Sequence, residues 1–456
     1  MDRLALPLRA ALILLAVLAS AVACTTAVAQ PVDERLAAHA ELRAALDAGR
    51  LDEAAASAAT VVSLTEARFG AGSRELVNPL TNAGTVAFRR GDLPAAEAAY
   101  RRAVALIEGK SAGADRDLMR PLTGLGETWL AAGRPAEAVV ALKRAVDLSR
   151  NLDGLYNIAQ LDIVDPLIEG YVAIGAEAEA EREHQFAFRV AEGAYGRDDP
   201  RMLDPLDRLA RWRESQLRFD TARGLHARAM QIAEQRAKTT PLAGVPAMRG
   251  LSRTWIGEAV YGPEATEAAP SEMSSGMPVP FATLQGGGRL NPDGERVLRY
   301  AVELIRATTP VEQGLLGETL AQLGDWHLMA GAVGKAAVAY AEAWKALVAA
   351  GTGRKSFLEQ PRQLTYRPPP SAASRLAPAD PDAFVARDIE LLLRVGKDGK
   401  VLDVRLPDGA EPDAVARSVM LAARKARYAP RIEAGVPVET DGVVLRERML
   451  LKAPRE

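Results

Sequence analysis

From residue 36 onward apolar positions recur with the period of an α-helix, and the whole pattern returns every 42 residues. Gly49, Gly91, Gly133 and Gly175 are each 42 residues apart, and five residues after each stands an alanine: Ala54, Ala96, Ala138 and Ala180. One period further Leu217 takes the place of the glycine while Ala222 keeps that of the alanine, and Gly331 and Ala336 repeat the pair near the end of the helical region. Nine residues past the turn stand Tyr100, Leu142 and Tyr340, and twelve past it Ala103, Ala145, Ala187, Ala229 and Ala343. Offsets of 5, 9 and 12 share one helix face, so each period predicts two antiparallel helices joined by a tight turn of positive φ and packed closely across small residues. Pro-Leu dipeptides at 79, 121, 166 and 205 each predict the first turn of a first helix, where proline loses no hydrogen bond.

These residues resemble the tetratricopeptide repeat, which sets small, large and small residues at the same offsets after its turn. Gly84, Gly126 and Gly324, seven residues before the turn, fit the glycine of that family's first helix. The period of 42 resembles the longer variant found in kinesin light chains. The resemblance implies a concave groove lined from the first helices, at positions 13, 10 and 6 before each turn. Those positions are Asn78, Thr81 and Thr85; Arg120, Thr123 and Glu127; Asp162, Asp165 and Glu169; and Asp204, Asp207 and Arg211. The later sets are acidic, which suits a basic or lysine-containing peptide segment.

The helical pattern occupies residues 33–261, is interrupted by a Gly, Pro and Ser-rich stretch at 262–293 that predicts a flexible insertion, and resumes over 294–352. Residues 353–384, with the triple proline of RPPPS, read as an extended linker. Beyond it the period changes to two. Ile389, Leu391, Leu393 and Val395 share a strand face, GKDGK at 396–400 is a hairpin turn, VLDVRL a second strand, 412–426 a helix and 443–452 a closing strand. This order, with Arg427, Tyr428 and Pro430 of RYAP and Gly435 and Pro437 of GVPV, resembles the C-terminal domain of TonB-type proteins over 385–456. The fold class expected is therefore mostly α, a solenoid of helix pairs followed by a small α+β domain. The last strand of such a domain offers an edge to which a partner strand could add, guarded by Arg446, Glu447 and Arg448.

Charge changes the picture little, since 57 Lys and Arg oppose 59 Asp and Glu, which argues against nucleic acid as a partner. Two catalytic signatures are missing: there is no HExxH and no paired CxxC, and GGG at 286–288 lacks the Lys and Ser/Thr of a phosphate loop. His184 and His226 stand nine residues past the turn, a packing position. The reading is a non-enzymatic scaffold without metal or cofactor, whose partners are proteins or peptides. A TonB-type energy transducer contacting outer-membrane receptors is the alternative, and an enzyme with an unrecognised site a further one. The transducer reading suffers from a histidine-free, short hydrophobic segment.

That segment, with Arg3 and Arg9 before an apolar run over 10–23, predicts an export signal rather than a membrane span. Two cuts compete. Cleavage after Ala29 gives a periplasmic protein, and cleavage after Ala23 leaves Cys24, the only cysteine, free to carry lipid and tether the chain to the envelope membrane. The intact mass of protein purified from the envelope fraction is expected to match a chain starting at Gln30. A start at lipid-modified Cys24 would make it a tethered scaffold, and an uncut start would revive the transducer.

Overall fold

The computed structural model describes residues 34–109, 114–262, 290–351, 357–369, 384–407 and 409–452. The signal over 1–29, with Cys24, lies outside them, as do nearly all of the insertion and much of the linker. The chain divides into two compact units within one helix, between Val190 and Ala191. No described helix is long and apolar enough to cross a membrane.

The first unit contains the helix pairs α1 (Glu34–Asp47) with α2 (Leu51–Phe69), α3 (Val77–Arg89) with α4 (Leu93–Glu108) and α5 (Met119–Ala131) with α6 (Pro135–Asp153), then α7 (Leu161–Ala173) and α8 (Glu177–Tyr195), in which the division falls. The turn within each of these pairs uses one backbone device. Gly49, Gly91, Gly133 and Gly175 have φ between +68° and +77°. The next residue's N–H reaches back to the helix end, as from Asp92 to the carbonyl of Ala87 at 2.9 Å and from Arg134 to that of Trp129 at 2.8 Å, which satisfies carbonyls that the helix would otherwise strand. The alanines five residues on are then sealed in the helix contact, Ala54, Ala96, Ala138 and Ala180 all at 0% exposure. A Cβ on Gly84 would stand 2.8 Å from the Tyr100 ring, so the large side chain nine residues past the turn occupies the space that this glycine leaves.

A second series in step with the same period explains the extra length of each repeat. Gly70, Gly154 and Gly196 end α2, α6 and α8 with φ of +86°, +92° and +89°. The position one period after Gly70 holds Ala112 instead, outside the described residues. Three residues after these four positions Ser73, Asp115, Asn157 and Asp199 cap short 3₁₀ turns, their side chains accepting backbone N–H groups at positions 75, 117, 160 and 201. Each 3₁₀ turn runs straight into a first helix. Consequently Pro79, Pro121 and Pro205 fall third in their α-helices, whereas Pro166 falls sixth in α7, inside the helix rather than in its first turn. The 45-residue step from 121 to 166 places it three residues deeper than the 42-residue period would.

Successive second helices are tied by a ladder whose rungs stand 25 residues before and 11 after each turn residue. Arg102 meets Glu66 at 3.0 Å, Arg144 meets Glu108, and Arg150 lies 4.7 Å from the Phe186 ring centre. In the second unit Arg228 meets Glu192 at 2.7 Å, and at the last rung the charges are exchanged, with Arg306 meeting Glu342 at 2.6 Å. Partly exposed pairs of this kind contribute about 0–1 kcal/mol each, so the ladder adds little to the stability of the fold.

The second unit holds the rest of α8, α9 (Leu203–Ser215), α10 (Phe219–Glu234), α11 (Val245–Tyr261), α12 (Asp293–Arg306), α13 (Gln313–Met329) and α14 (Val333–Ala349). Strands β1 (Arg362–Thr365), β2 (Phe384–Val395) and β3 (Val401–Arg405), helix α15 (Ala414–Arg424), and strands β4 (Arg427–Ala429), β5 (Arg431–Glu433), β6 (Val436–Val438) and β7 (Thr440–Lys452) follow. The main sheet is antiparallel in the order β3-β2-β7, with Ile389 opposite Glu447. Ile389, Leu391, Leu393 and Val395 pack with Val419 and Ala423 of α15 and with Tyr428. Arg427 is half-buried, Tyr428 and Pro430 are buried, and β5 and β6 pair across Ala434 and Gly435, whose φ values are +50° and +83°. Arg446 and Arg448 form cross-strand pairs with Glu390 and Asp388.

The linker expectation needs correction. Residues 357–369 are packed against the unit: Leu358 is 1% exposed, and β1 pairs antiparallel with β4, Arg362 opposite Ala429. Leu358 and Leu364 bring apolar surface that joins the core of α12, α13 and α14, and the proline run begins only after this strand.

Gly331 turns between α13 and α14 with φ +75°, but Leu217 makes the α9–α10 turn with φ +56°. An L-residue with a Cβ is disfavoured there by about 1–2 kcal/mol, partly offset by the smaller entropy it loses on folding. Leu217→Gly is expected to stabilise the second unit by about 0.5–1 kcal/mol, and Gly133→Ala to destabilise the first by about 1 kcal/mol. Thermal unfolding of the two variants checks both signs, and a lower midpoint for Leu217→Gly would contradict the assignment.

Candidate partner-binding clefts

The first helices of three successive pairs in the first unit enclose a cleft of 510 Å3. Thr81 and Thr85 come to its wall from α3, Arg120, Thr123 and Glu127 from α5, and Asp162 from α7. Asn78, Asp165 and Glu169 are not on that wall. The side chains differ in how far they are already committed. Thr81 donates to the carbonyl of Val77 at 2.7 Å and Thr123 to that of Met119 at 2.8 Å. Thr85 shares a 3.1 Å hydrogen bond with the hydroxyl of Tyr100 and donates to the carbonyl of Thr81 at 3.0 Å. Arg120 donates to Asn82 at 3.1 Å, and Arg116, which numbering back from the turns does not select, is held by Asp153.

Glu127 is the exception. It is half-buried, and no hydrogen-bond donor meets it among the described residues. Burial, and then the like charge of Glu169, raise its pKa above the usual carboxylate range. Leu142, nine residues past the turn of this pair, has no hydroxyl to offer. The fold therefore leaves a desolvated carboxylate facing a cleft with nothing in the described chain to neutralise it.

Asp204, Asp207 and Arg211 belong to the second unit. Arg211 donates to Asp207 at 2.7 Å within α9, so this repeat is less acidic than its two aspartates suggest. The second unit has its own cleft, of 340 Å3, between α11, α13 and the segment that contains β1. Counting back 13, 10 and 6 from Gly331 gives Glu318, Ala321 and Asp325, and all three line it. Gly331 is recognisable as a turn in the sequence, but the groove positions that the resemblance implies end with those before Leu217.

Here the carboxylate is occupied from within the chain. Nη2 of Arg362 donates to both oxygens of Asp325 at 3.0 Å, and the hydroxyl of Tyr340 donates to Oδ1 at 2.8 Å. The guanidinium also lies 4.9 Å from the Phe357 ring centre. The backbone N–H of Tyr366 donates to the hydroxyl of Tyr261 at 3.1 Å, which anchors the segment at its other end. Arg249 crosses the cleft wall to Glu318 at 2.9 Å and to Gln322 at 3.1 Å, and burial lowers its pKa from the usual guanidinium value.

His226 sits in the core at 1% exposure, its Nε2 2.7 Å from Glu214, which also accepts from Arg253 at 2.9 Å. Burial acts to raise the pKa of Glu214, but the hydrogen bonds from His226 and Arg253 outweigh it and hold the carboxyl below its ordinary value. Gly250 leaves room for the imidazole ring, so His226 does the packing work of Tyr100. Among the described residues no group of three or more His, Cys, Asp or Glu is placed to hold a metal.

No family model matches the chain, and no curated protein matches it. Among solved structures it is similar to BtubC (BKLC) from P. vanneervenii, with 16% identity, 57% of this chain and 92% of that chain covered, and a TM-score of 0.42. A kinesin light chain of Podosopora anserina with nearly identical TPR-like repeats is 18% identical over 46% of this chain and 97% of that one, with a TM-score of 0.41. The RpL4 assembly chaperone Acl4 is 16% identical over 65% and 99%, with a TM-score of 0.35. The fold class rests on the helix pairs themselves: a solenoid of tetratricopeptide-like pairs followed by a small region containing strands.

Glu127→Gln keeps the shape of the side chain and removes the uncompensated charge. A carboxyl whose folded pKa lies above its unfolded value weakens the fold fully above the folded pKa, and the penalty fades as pH falls towards the unfolded one. The variant is therefore expected to raise the thermal midpoint by about 1–2 °C at pH 7. That gain should vanish on acidification to below the ordinary glutamate range, as a pH series of thermal melts will register.

Proposed function

We propose that the protein is a non-enzymatic interaction scaffold in the cell envelope, whose first-unit cleft receives an extended segment of a partner protein. The observation that carries this reading is the convergence of Thr85, Glu127 and Asp162, from the first helices of three successive pairs, on one cleft. Such a surface draws on three helices in succession, and its polar groups are displayed on rigid elements. The envelope location rests on the basic and apolar segment at the start of the chain, with the periplasm as the destination and attachment through Cys24 as the variant of it.

The TonB-like reading of the C-terminal region draws support from its order of hairpin, helix, RYAP, short hairpin and long last strand. On that basis the region serves as a second contact module, and the energy-transducer reading is the alternative use of the same strands. An exposed β7 edge would take a partner strand through backbone hydrogen bonds.

Photo-crosslinking amino acids placed at Arg120 and Asp162, on the cleft wall, and at Val140, an exposed site on α6 outside it, test the main reading in intact cells. Discrete adducts are expected from the two cleft positions and none from Val140. Equal labelling from all three, or none from the cleft, would remove the cleft as the docking site.

A further inference from the structure

The second unit displays, within the chain, what a carboxylate six residues before the turn can hold. Asp325 stands at that position, and its occupant is an arginine on an extended strand: Arg362 opens β1, spans both carboxylate oxygens and lies over an aromatic ring. Glu127 stands at the same position before Gly133, also on a first helix and also on the wall of a cleft. The two sites differ in one respect that matters. Tyr340 supplies Asp325 with a hydroxyl, whereas Leu142 stands at the matching place beside Glu127 and supplies none.

Among the described residues nothing else in the first unit takes the role of Arg362. Arg116 is engaged by Asp153 and Arg120 by Asn82, Arg89 lines the cleft without a hydrogen bond or ion pair to Glu127, and the neighbouring charge that acts on Glu127 is another carboxylate, Glu169. Phe88, half-buried, lines the same cleft and offers the aromatic surface that Phe357 offers Arg362. A planar guanidinium can meet two carboxylate oxygens and lie on a ring at once, which the point charge of a lysine cannot do as well.

We infer that the first-unit cleft takes the arginine side chain of an extended partner segment, seated on Glu127 as Arg362 is seated on Asp325. This rests on the cleft being the partner site. It narrows the earlier expectation of a basic segment to one residue type and one carboxylate.

The test uses the full chain and a displayed library of random dodecapeptides, selected in parallel on the wild type, on Glu127→Gln and on Glu177→Gln, an exposed carboxylate of α8 that is absent from the cleft wall. Peptides retained by the wild type should share an arginine in one register. Their affinity should fall about tenfold or more on Glu127→Gln, the loss expected for one charge-assisted hydrogen-bonded pair, and stay unchanged on Glu177→Gln. Replacing the shared arginine by lysine in the best peptide should weaken it as well. Binders without a shared arginine, or with affinities indifferent to Glu127→Gln, overturn the inference and leave the scaffold reading standing. A selection that yields no binders removes both. Thermal melts of the variants separate loss of affinity from loss of fold.

Discussion

The structure depends on one backbone constraint: at the turn between the helices of a pair, a residue must take positive φ so that the second helix can fold back against the first. Once Gly49, Gly91, Gly133, Gly175 or Gly331 does so, the rest of the pair is set by counting. The alanine five residues on closes the helix contact, and in the pairs that turn at Gly91, Gly133 and Gly331 the residue nine on fills the space left by a glycine of the first helix while the residue six before lines a cleft. Leu217 shows that the backbone geometry, rather than the glycine, is what the pair requires.

The same counting separates what was legible in the chain from what was not. Helix pairs, their buried alanines and the alternation of β2 can be read because each rests on a local period that burial enforces. Thr81, Thr85, Arg120, Thr123, Glu127 and Asp162 reach the cleft wall, but Asn78, Asp165 and Glu169, from the same arithmetic, do not. A count along one helix gives the direction of a side chain only to within the crossing of its neighbours. The caps Ser73, Asp115, Asn157 and Asp199 are as regular as the main turns, and Gly70, Gly154 and Gly196 keep step with them, interrupted at Ala112. Both series were available from spacing alone. Arg362 was not available in that way. Its partner Asp325 lies 37 residues earlier, and the prolines after it lend the stretch the look of a linker although Leu358 and Leu364 belong to a core.

The two clefts illustrate opposite treatments of one carboxylate position. In the second unit the chain closes its own site, and the arginine, the tyrosine hydroxyl and the strand pairing of β1 with β4 support one another. In the first unit the corresponding carboxylate remains desolvated and unmatched, a cost to folding with no compensation among the described residues. Groups that cost stability where nothing in the fold uses them mark the places where function is the better explanation.

The exchanged charges of the last ladder rung bear on how such a chain finds its own register. Repeats that resemble one another can dock out of order while the chain is being made, and this is a characteristic failure of arrays. At the Arg102, Arg144 and Arg228 rungs the arginine comes from the later helix, but at the Arg150 and Arg306 rungs it comes from the earlier one. If α14 were displaced onto α2, α4 or α8, Glu342 would face Glu66, Glu108 or Glu192, and α12 set beside α4, α6 or α10 would bring Arg306 against an arginine, whereas α6 would offer Glu342 the guanidinium of Arg150. The polarity reversal thus works as a partial key, which opposes closure of the last pair on three of the four upstream helices.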